Sequence, residues 1–454
     1  MSVHKLNDIQ KIYFIGIGGI GMSALARYFK SRGAAVSGYD KTVTPLTKEL
    51  EQQGIAIHYE ERVDLIPKDV DAVVYTPAIP ANHAELVYYR EHQYTVVKRS
   101  DVLQWITEGS FNICVGGTHG KTTVTSMIAH LLRHSGYGCN AFLGGIAANY
   151  NTNFWSSERN VVVVEADEYD RSFLKLVPDI AVVTAIDPDH LDIYGTPEEV
   201  ENAFVQFAGK VKPGGCLVTK KGLSRESELN ASHNYRYAYH QSDADVTTIG
   251  LKVENGSYTF DVQGPTWVIK DITLHMGGLH NIENAVAAIT VAKHLGIDDD
   301  KIRAAVADFK GVRRRFEYAL KNAQHVVIDD YAHHPEELRA LISGVRSIFK
   351  EQTLTLVFQP HLFSRTNDLA DGFAESLDMA DQIILLPIYP ARELPMPGVT
   401  SDMLLQRMKA KHKMILEKQD MLNWIKENKP SLVVMAGAGD IDALVQPVKA
   451  ILEQ

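Results

Sequence analysis

Between Ile12 and about Trp105, short apolar runs (IYFIGI, AAVSGY, DAVVYT, YTVVK) alternate with stretches of helical spacing. That alternation predicts βαβ units around a parallel sheet. A second cycle opens at Asn112 with NICVGG, continues into a helix over Lys121 to His134, and adds strands at Val161 to Glu165 and Ile180 to Thr184. From Asp245 to Leu274 the pattern changes to short alternating segments (VTTIGLKV, SYTFDV, TWVIKDITL) separated by turn residues, which predicts antiparallel strands appended to that sheet. Helices near Asn281 to Leu295 and Lys301 to Asp308 follow. From His325 a third cycle runs onward with strands HVVID, TLTLVF, QIILLP and SLVVMA. The linkers at 107–111 and 311–324 are short and not rich in proline.

A chain of 454 residues exceeds what one hydrophobic core usually supports, so the three cycles are read as three domains. A net charge of -10 with no long Lys/Arg run argues against a nucleic-acid partner, because phosphate backbones would be repelled. Cys114, Cys139 and Cys216 are odd in number and far apart, with no metal-ligand spacing, which fits a reducing compartment. The first residues, MSVHKLNDIQ, carry no apolar signal core, and no run approaches the roughly 18 apolar residues that a membrane helix needs. A cytoplasmic location and no membrane partner are expected.

Two glycine loops carry the chemistry. Gly116-Gly117-Thr118-His119-Gly120-Lys121-Thr122-Thr123 lies between a buried strand and a helix. Its amides, the helix start and the Lys121 ammonium can face a polyphosphate, and the Thr122 hydroxyl can take a Mg2+ position. The usual pattern places a glycine where Val115 stands, so this loop departs from most phosphate loops. Gly16-Ile17-Gly18-Gly19-Ile20-Gly21, with Asp40 at the end of the next strand, matches a dinucleotide fingerprint. A hydride-transfer enzyme has no use for a second loop of the Mg-ATP type, so a nucleotide-sugar diphosphate is favoured over NAD. Gly18, Gly19, Gly21 and Asp40 are its candidate contacts, with an NAD-dependent dehydrogenase and a purely structural turn as the alternatives.

Glu165-Ala-Asp-Glu-Tyr-Asp170 and Asp187-Pro-Asp-His-Leu-Asp192 each follow an apolar strand, at the edge where open parallel sheets bind ligands. Mg2+ prefers a few oxygen ligands from protein, so Glu165 with Thr122 is chemically sensible and His190 less typical. Solvated loop acids are the bland alternative.

Taken together, GGTHGKTT, EADEYD, Asp189-His190-Leu191-Asp192, GLHNIENA (278–285), Arg314-Arg315-Phe316, DDYAHHP (329–335), QPHLFSRT (359–366) and AGAGD (436–440) resemble the Mur ligase family over nearly the whole chain. The resemblance implies an α/β fold of three domains: a Rossmann-like UDP-sugar-binding domain (1–107), a central P-loop ATPase domain with a mostly parallel sheet (108–318), and a Rossmann-like amino-acid-binding domain (319–454). It implies ATP and Mg2+, with Gly116, Thr118, His119, Gly120, Lys121, Thr122 and Thr123 on the phosphates and Thr122, Glu165 and His190 on the metal. Asn281 and Asn284 correspond to adenine readers, although by themselves they read as helix caps. Arg315 corresponds to a γ-phosphate contact and Asp330 to a ribose contact. Tyr331, His333 and Arg365 correspond to the amino-acid site, and the catalytic set is Lys121, His190, His333 and Arg365.

The implied activity is ADP-forming ligation of L-alanine to the lactyl carboxylate of UDP-N-acetylmuramate through an acyl phosphate, by a monomer or weak dimer. A peptide-adding ligase of the same family, as in murein tripeptide recycling, is the alternative, and a plain P-loop ATPase is another class. Leu362 stands where an arginine is frequent and Leu279 replaces another, while no lysine occurs between Leu191 and Gly209.

Overall fold

The first sheet consists of β1 (Lys11–Ile15), β2 (Ala35–Tyr39), β3 (Ala56–His58), β4 (Ala72–Tyr75) and β5 (Val96–Lys98), all parallel in the order β3-β2-β1-β4-β5. In this computed structural model the described residues are 8–188, 191–254, 257–391 and 393–454. Residues Ile12 to Ile15 of β1 are buried, as a central parallel strand covered on both faces requires, and so its sequence is a continuous apolar run. The strand order reverses on either side of β1, which sets the glycine loop at the crevice where open sheets bind ligands.

The second sheet holds β6 (Phe111–Gly116), β7 (Asn140–Ala147), β8 (Thr152–Trp155), β9 (Val161–Glu165), β10 (Ile180–Val183), β11 (Cys216–Lys220), β12 (His233–Ala238), β13 (Val246–Glu254), β14 (Ser257–Gln263) and β15 (Val268–Leu274). Their order is β15-β14-β13-β12-β11-β10-β6-β9-β7-β8. The link at 264–267 is too short for a parallel crossover, so β14 and β15 form a hairpin, as the alternation predicted. The strands not singled out in the sequence are β7, β8, β11 and β12: NAFLGGIA is broken by Gly-Gly, and HNYRYA is half exposed.

The third sheet is β16 (Glu317–Lys321), β17 (Val326–Asp330), β18 (Leu354–Phe358), β19 (Gln382–Leu385), β20 (His412–Ile415) and β21 (Leu432–Ala436), in the order β16-β17-β21-β18-β19-β20. Only β16 runs antiparallel, against β17. This corrects the expected linker at 311–324, which contains that strand: EYALK is short, and pairing with β17 makes it a strand. The expected linker at 107–111 is also shorter than predicted, because the helix Arg99–Glu108 reaches residue 108 and β6 starts at Phe111. The chain divides into two compact units, one of residues 1–249, 260–272 and 283–309 and the other of residues 250–259, 273–282 and 310–454. Among the described residues no helix is long and apolar enough to cross a membrane. All three cysteines are buried free thiols.

One buried acid in the first sheet's surroundings has a cost. Glu85 has no exposed surface; it accepts from Tyr13 Oη at 2.7 Å and from the Arg62 amide at 3.3 Å. Burial pushes its pKa up to about 7, against the pull of those hydrogen bonds. A carboxyl with a raised folded pKa stabilises the fold fully below its ordinary value of 4.5 and loses that contribution as pH rises through 7, a change of at most about 3 kcal/mol. Glu85→Gln keeps an acceptor for Tyr13 and removes the charge. It is expected to raise Tm at pH 8 and leave it nearly unchanged at pH 5; thermal unfolding at both values checks this, and equal shifts contradict it.

Candidate active site

The phosphate loop is pressed against the end of β10. Gly117 adopts φ +140°, and a Cβ there would run into the Thr184 hydroxyl and come within 2.9 Å of the Ala185 amide nitrogen. The Thr184 hydroxyl donates to the carbonyl of His119, and the Thr118 amide donates to Ala185 O at 3.1 Å. The Asp187 amide donates to Thr118 Oγ1 at 3.0 Å, and His119 lies 3.8 Å from the Asp187 carboxylate. Gly120 then takes the left-handed conformation at the N-cap of the helix Lys121–His134, and no side chain caps it. The first-turn amides are therefore oriented toward whatever anion enters. The Thr122 and Thr123 side chains are buried in that turn, and Asn284 Oδ1 would be 3.0 Å from a Cβ on Gly120, which sets that asparagine against the loop.

Lys121 Nζ donates to Gly117 O and to Glu168 Oε1, both at 2.7 Å. Burial alone would lower the lysine's pKa, but Glu168, Glu165 and Asp167 outweigh it and raise the pKa above its ordinary value. Glu168, 1 % exposed, is itself pushed up to about 7 by burial despite Lys121. Both shifts belong to one coupled pair, and the lysine, the far stronger base, keeps the proton. Glu168 was passed over in favour of Glu165 in the sequence, because EADEYD does not reveal which acid turns inward. The loop carrying both is pinned by Tyr194 Oη, which donates to Glu168 O at 2.7 Å.

Glu165 ends β9 beside β6, and its carboxylate lies so close to Gly144 that any Cβ there would overlap it. A tightly seated carboxylate and the Thr122 hydroxyl are hard oxygen donors that suit Mg2+. Asp189 and His190 lie outside the described residues.

The glycine loop after β1 is built the same way. Gly18 N donates to Asp40 Oδ2 at 2.7 Å, and a Cβ at Gly18 would be 2.8 Å from that oxygen, so Asp40 clamps the loop itself. The helix Ile20–Ser31 starts from Gly19 with no side-chain cap and no acid in its first turn. A Cβ on Gly21 would collide with the Arg99 guanidinium, whose Nη2 donates to Asp167 Oδ2 at 3.2 Å. Arg99 thus joins the glycine loop to the acidic loop. A cavity of about 210 Å³ there is lined by Gly21, Arg99, Gly144, Glu165 and Asp167 among others. Arg99 was not singled out in the sequence; its position directly after β5, on the same sheet edge as the glycine loop, was the available signal.

In the other unit, Asn281 is buried and its Nδ2 donates to Gly277 O at 2.6 Å. Asp330 closes β17: its oxygens accept from Phe316 N at 2.7 Å and Ala332 N at 2.8 Å, and burial raises its pKa to about 6. The Arg315 and Arg314 guanidinium groups stand 5.7 and 5.1 Å from the Tyr331 ring centre. His334 is the N-cap of the helix Pro335–Ile348, whereas His333 turns inward, its ring 5.1 Å from Tyr331 and 6.0 Å from His361. Arg365 sits half-buried on the short helix Phe363–Asp368, and among the described residues its guanidinium makes no hydrogen bond or ion pair. Five donors without an anion, beside two imidazoles whose pKa it helps to lower, suit a carboxylate ligand.

Two uncapped helix starts after glycine loops, on two mostly parallel sheets, and a third sheet edge carrying an arginine unpaired among the described residues fit a nucleotide-dependent α/β enzyme. The chain belongs to the Mur ligase family. Family models match it in sequence order, described as the Mur ligase family catalytic domain over residues 11–110, the Mur ligase middle domain over 115–292 and the Mur ligase glutamate ligase domain over 314–439. A UDP-N-acetylmuramate--L-alanine ligase of Flavobacterium johnsoniae is 48% identical over 454 residues, covering 99% of each chain. One of Parabacteroides distasonis is 47% identical over 98% of each. Among solved structures, the UDP-N-acetylmuramate-alanine ligase of Thermotoga maritima matches with a TM-score of 0.81 at 28% identity over 98% of both chains. A murein peptide ligase of Psychrobacter arcticus reaches a TM-score of 0.69 at 21% identity over 98% of both, a likeness of fold.

Gly117→Ala is expected to remove the phosphate site without unfolding the chain, because the Cβ displaces Thr184 and the loop with it. Thermal shift with and without Mg-ATP, beside circular dichroism, checks this. Full nucleotide stabilisation of the variant contradicts it.

Proposed function

We propose that the chain joins L-alanine to UDP-N-acetylmuramate, with ATP giving ADP and phosphate, in the assembly of peptidoglycan precursors. The observation that carries the reading is the 48% identity, along the full length, to a relative of that name, together with two phosphate-shaped helix starts in one chain. In this reading residues 1–107 hold the UDP-sugar, with its diphosphate at Gly18, Gly19 and Gly21 and Asp40 fixing the loop. Residues 108–318 hold ATP, and residues 319–454 bring the amino acid. Asn281 and Asn284 read adenine, Asp330 the ribose and Arg315 the γ-phosphate. The peptide-adding alternative rests only on likeness of fold, and family membership sets the dehydrogenase reading aside.

The lactyl carboxylate attacks the γ-phosphorus, ADP departs, and an acyl phosphate forms. Lys121 and the amides at Gly120 to Thr123 neutralise charge on the transferred group. Lys121 must leave Glu168 at least in part to do so, which keeps the ion pair as a resting position. Thr122 and Glu165, with His190, would hold Mg2+, which adds positive charge at the phosphates when bound. The alanine amine then attacks the acyl carbonyl, and the tetrahedral intermediate expels phosphate. Arg365 orients the alanine carboxylate by two parallel hydrogen bonds, with Tyr331 and His333 alongside. The enzyme is proposed to act in the cytoplasm, as a monomer or weak dimer.

Phosphate release measured with UDP-N-acetylmuramate and each of a panel of amino acids tests the function: L-alanine should stimulate it most, and no dependence on any amino acid sinks the reading. Lys121→Ala should abolish that release while calorimetric binding of the UDP-sugar persists. Arg365→Lys cannot reproduce the bidentate geometry and should raise the KM for alanine by a factor corresponding to roughly 2 to 3 kcal/mol, leaving the other two KM values within a few fold. Varying each substrate in turn decides it; an unchanged alanine KM removes Arg365 from the site.

A further inference from the structure

At the edge of the third sheet stands a second imidazole beside His333. His361 follows β18 by three residues, at the strand's C-terminal end, and its Nδ1 is buried with no hydrogen-bond partner among the described residues. The ring is held from several sides. It stacks on Tyr389 with centroids 5.8 Å apart and planes inclined by 15°, and it meets His333 edge-on at 6.0 Å. The backbone is fixed too: Leu362 N donates to Tyr389 O at 3.0 Å, and Tyr389 N donates to Pro360 O at 2.8 Å. Leu362 itself takes φ +69°, a conformation a β-substituted residue adopts only when its surroundings impose it. A buried nitrogen without a partner, on a backbone fixed by its surroundings, calls for an explanation, and a binding position supplies one.

The neighbouring imidazole and the two neighbouring carboxylates are engaged. His333 Nδ1 lies 2.8 Å from Tyr331 O, Glu337 accepts from the His333 amide at 2.9 Å, and Glu393 accepts from the Ser364 amide at 3.0 Å and from its hydroxyl. Burial, His333 and Arg365 push the His361 pKa down to about 4, so at neutral pH the ring is uncharged and one of its nitrogens carries a lone pair. Arg365, four residues along, supplies cationic donors only. A zwitterion placed here finds donors for its carboxylate at Arg365 and needs an acceptor for its ammonium.

Resting on the amino-acid reading above, we propose that His361 Nδ1 is the acceptor that recognises the α-amino group of the incoming amino acid, and so sets the orientation of the nucleophile. The role is that of a hydrogen-bond acceptor and not of the base: a nitrogen of such low basicity does not draw the proton from an ammonium. It discriminates in favour of an amino acid over a carboxylate that lacks the amine.

His361→Phe keeps a ring against Tyr389 and removes the acceptor, whereas His361→Asn places an amide oxygen near the position of Nδ1. In steady-state kinetics His361→Phe should raise the alanine KM roughly ten- to hundredfold, the scale of one hydrogen bond to a charged group, with the KM for ATP and UDP-N-acetylmuramate unchanged within about twofold. His361→Asn should retain most of the affinity. An unchanged alanine KM in His361→Phe, or equal losses in the two variants, overturns the proposal. Should His361→Phe fail to fold, 15N-histidine NMR of the unaltered chain decides: L-alanine should move one imidazole signal, assigned as the one lost in His361→Asn, that propanoate leaves in place, and no such signal overturns it. Absence of alanine-dependent phosphate release in the unaltered chain would count against the proposed function instead.

Discussion

The tight seating of the phosphate loop on the end of β10 is the constraint from which the rest of the first site follows. Thr184 occupies the space a Cβ on residue 117 would need, so the loop turns at glycine and reaches Gly120 in the left-handed conformation. The helix then begins with its amides uncapped, and Lys121 folds back over the loop to Gly117 and Glu168. A buried ammonium and a buried carboxylate are tolerable only as partners, because each loses its hydration and only the other restores the charge balance. The loop is thus fixed by its own contacts, with the lysine held by a carboxylate.

Comparison of the helix starts on the three sheets separates their chemistry. The helices beginning at Ile20 and Lys121 follow glycines, have no side-chain cap and carry no acid in the first turn. The helix Pro335–Ile348 is capped by His334, starts with proline and carries Glu336 and Glu337 in its first turn. In that third helix the cap takes the Glu336 amide and two carboxylates face the positive end of the dipole, so it suits a phosphate less well. Its neighbourhood offers an arginine and two uncharged imidazoles, a set suited to a small zwitterion. The same strand-loop-helix architecture therefore carries two helix starts without a side-chain cap or acid and one that is capped and acidic, and the difference lies in four or five residues at each helix start.

Much of this was legible in the amino-acid order. Continuous apolar runs marked the buried parallel strands because such strands have no exposed face, and Gly-rich turns between run and helix marked the phosphate sites because only glycine allows the backbone approach. The order of motifs from GGTHGKTT to AGAGD was enough to indicate the family. Strand β12, inside the second sheet, and β16, at the edge of the third, were not legible, since short, half-exposed segments carry little periodicity and acquire strand structure by pairing with a neighbour.

Which side chain meets which was beyond the sequence. Glu168 and not another acid of EADEYD holds Lys121, Arg99 reaches Asp167 across 68 positions, and His361 Nδ1 has no partner among the described residues while His333 Nδ1 has one. Local sequence determines backbone conformation and burial pattern because those depend on neighbours a few residues apart. Pairings between distant residues, and the desolvation that shifts their proton affinities, exist only once the chain has folded and brought the charges into one low-dielectric place.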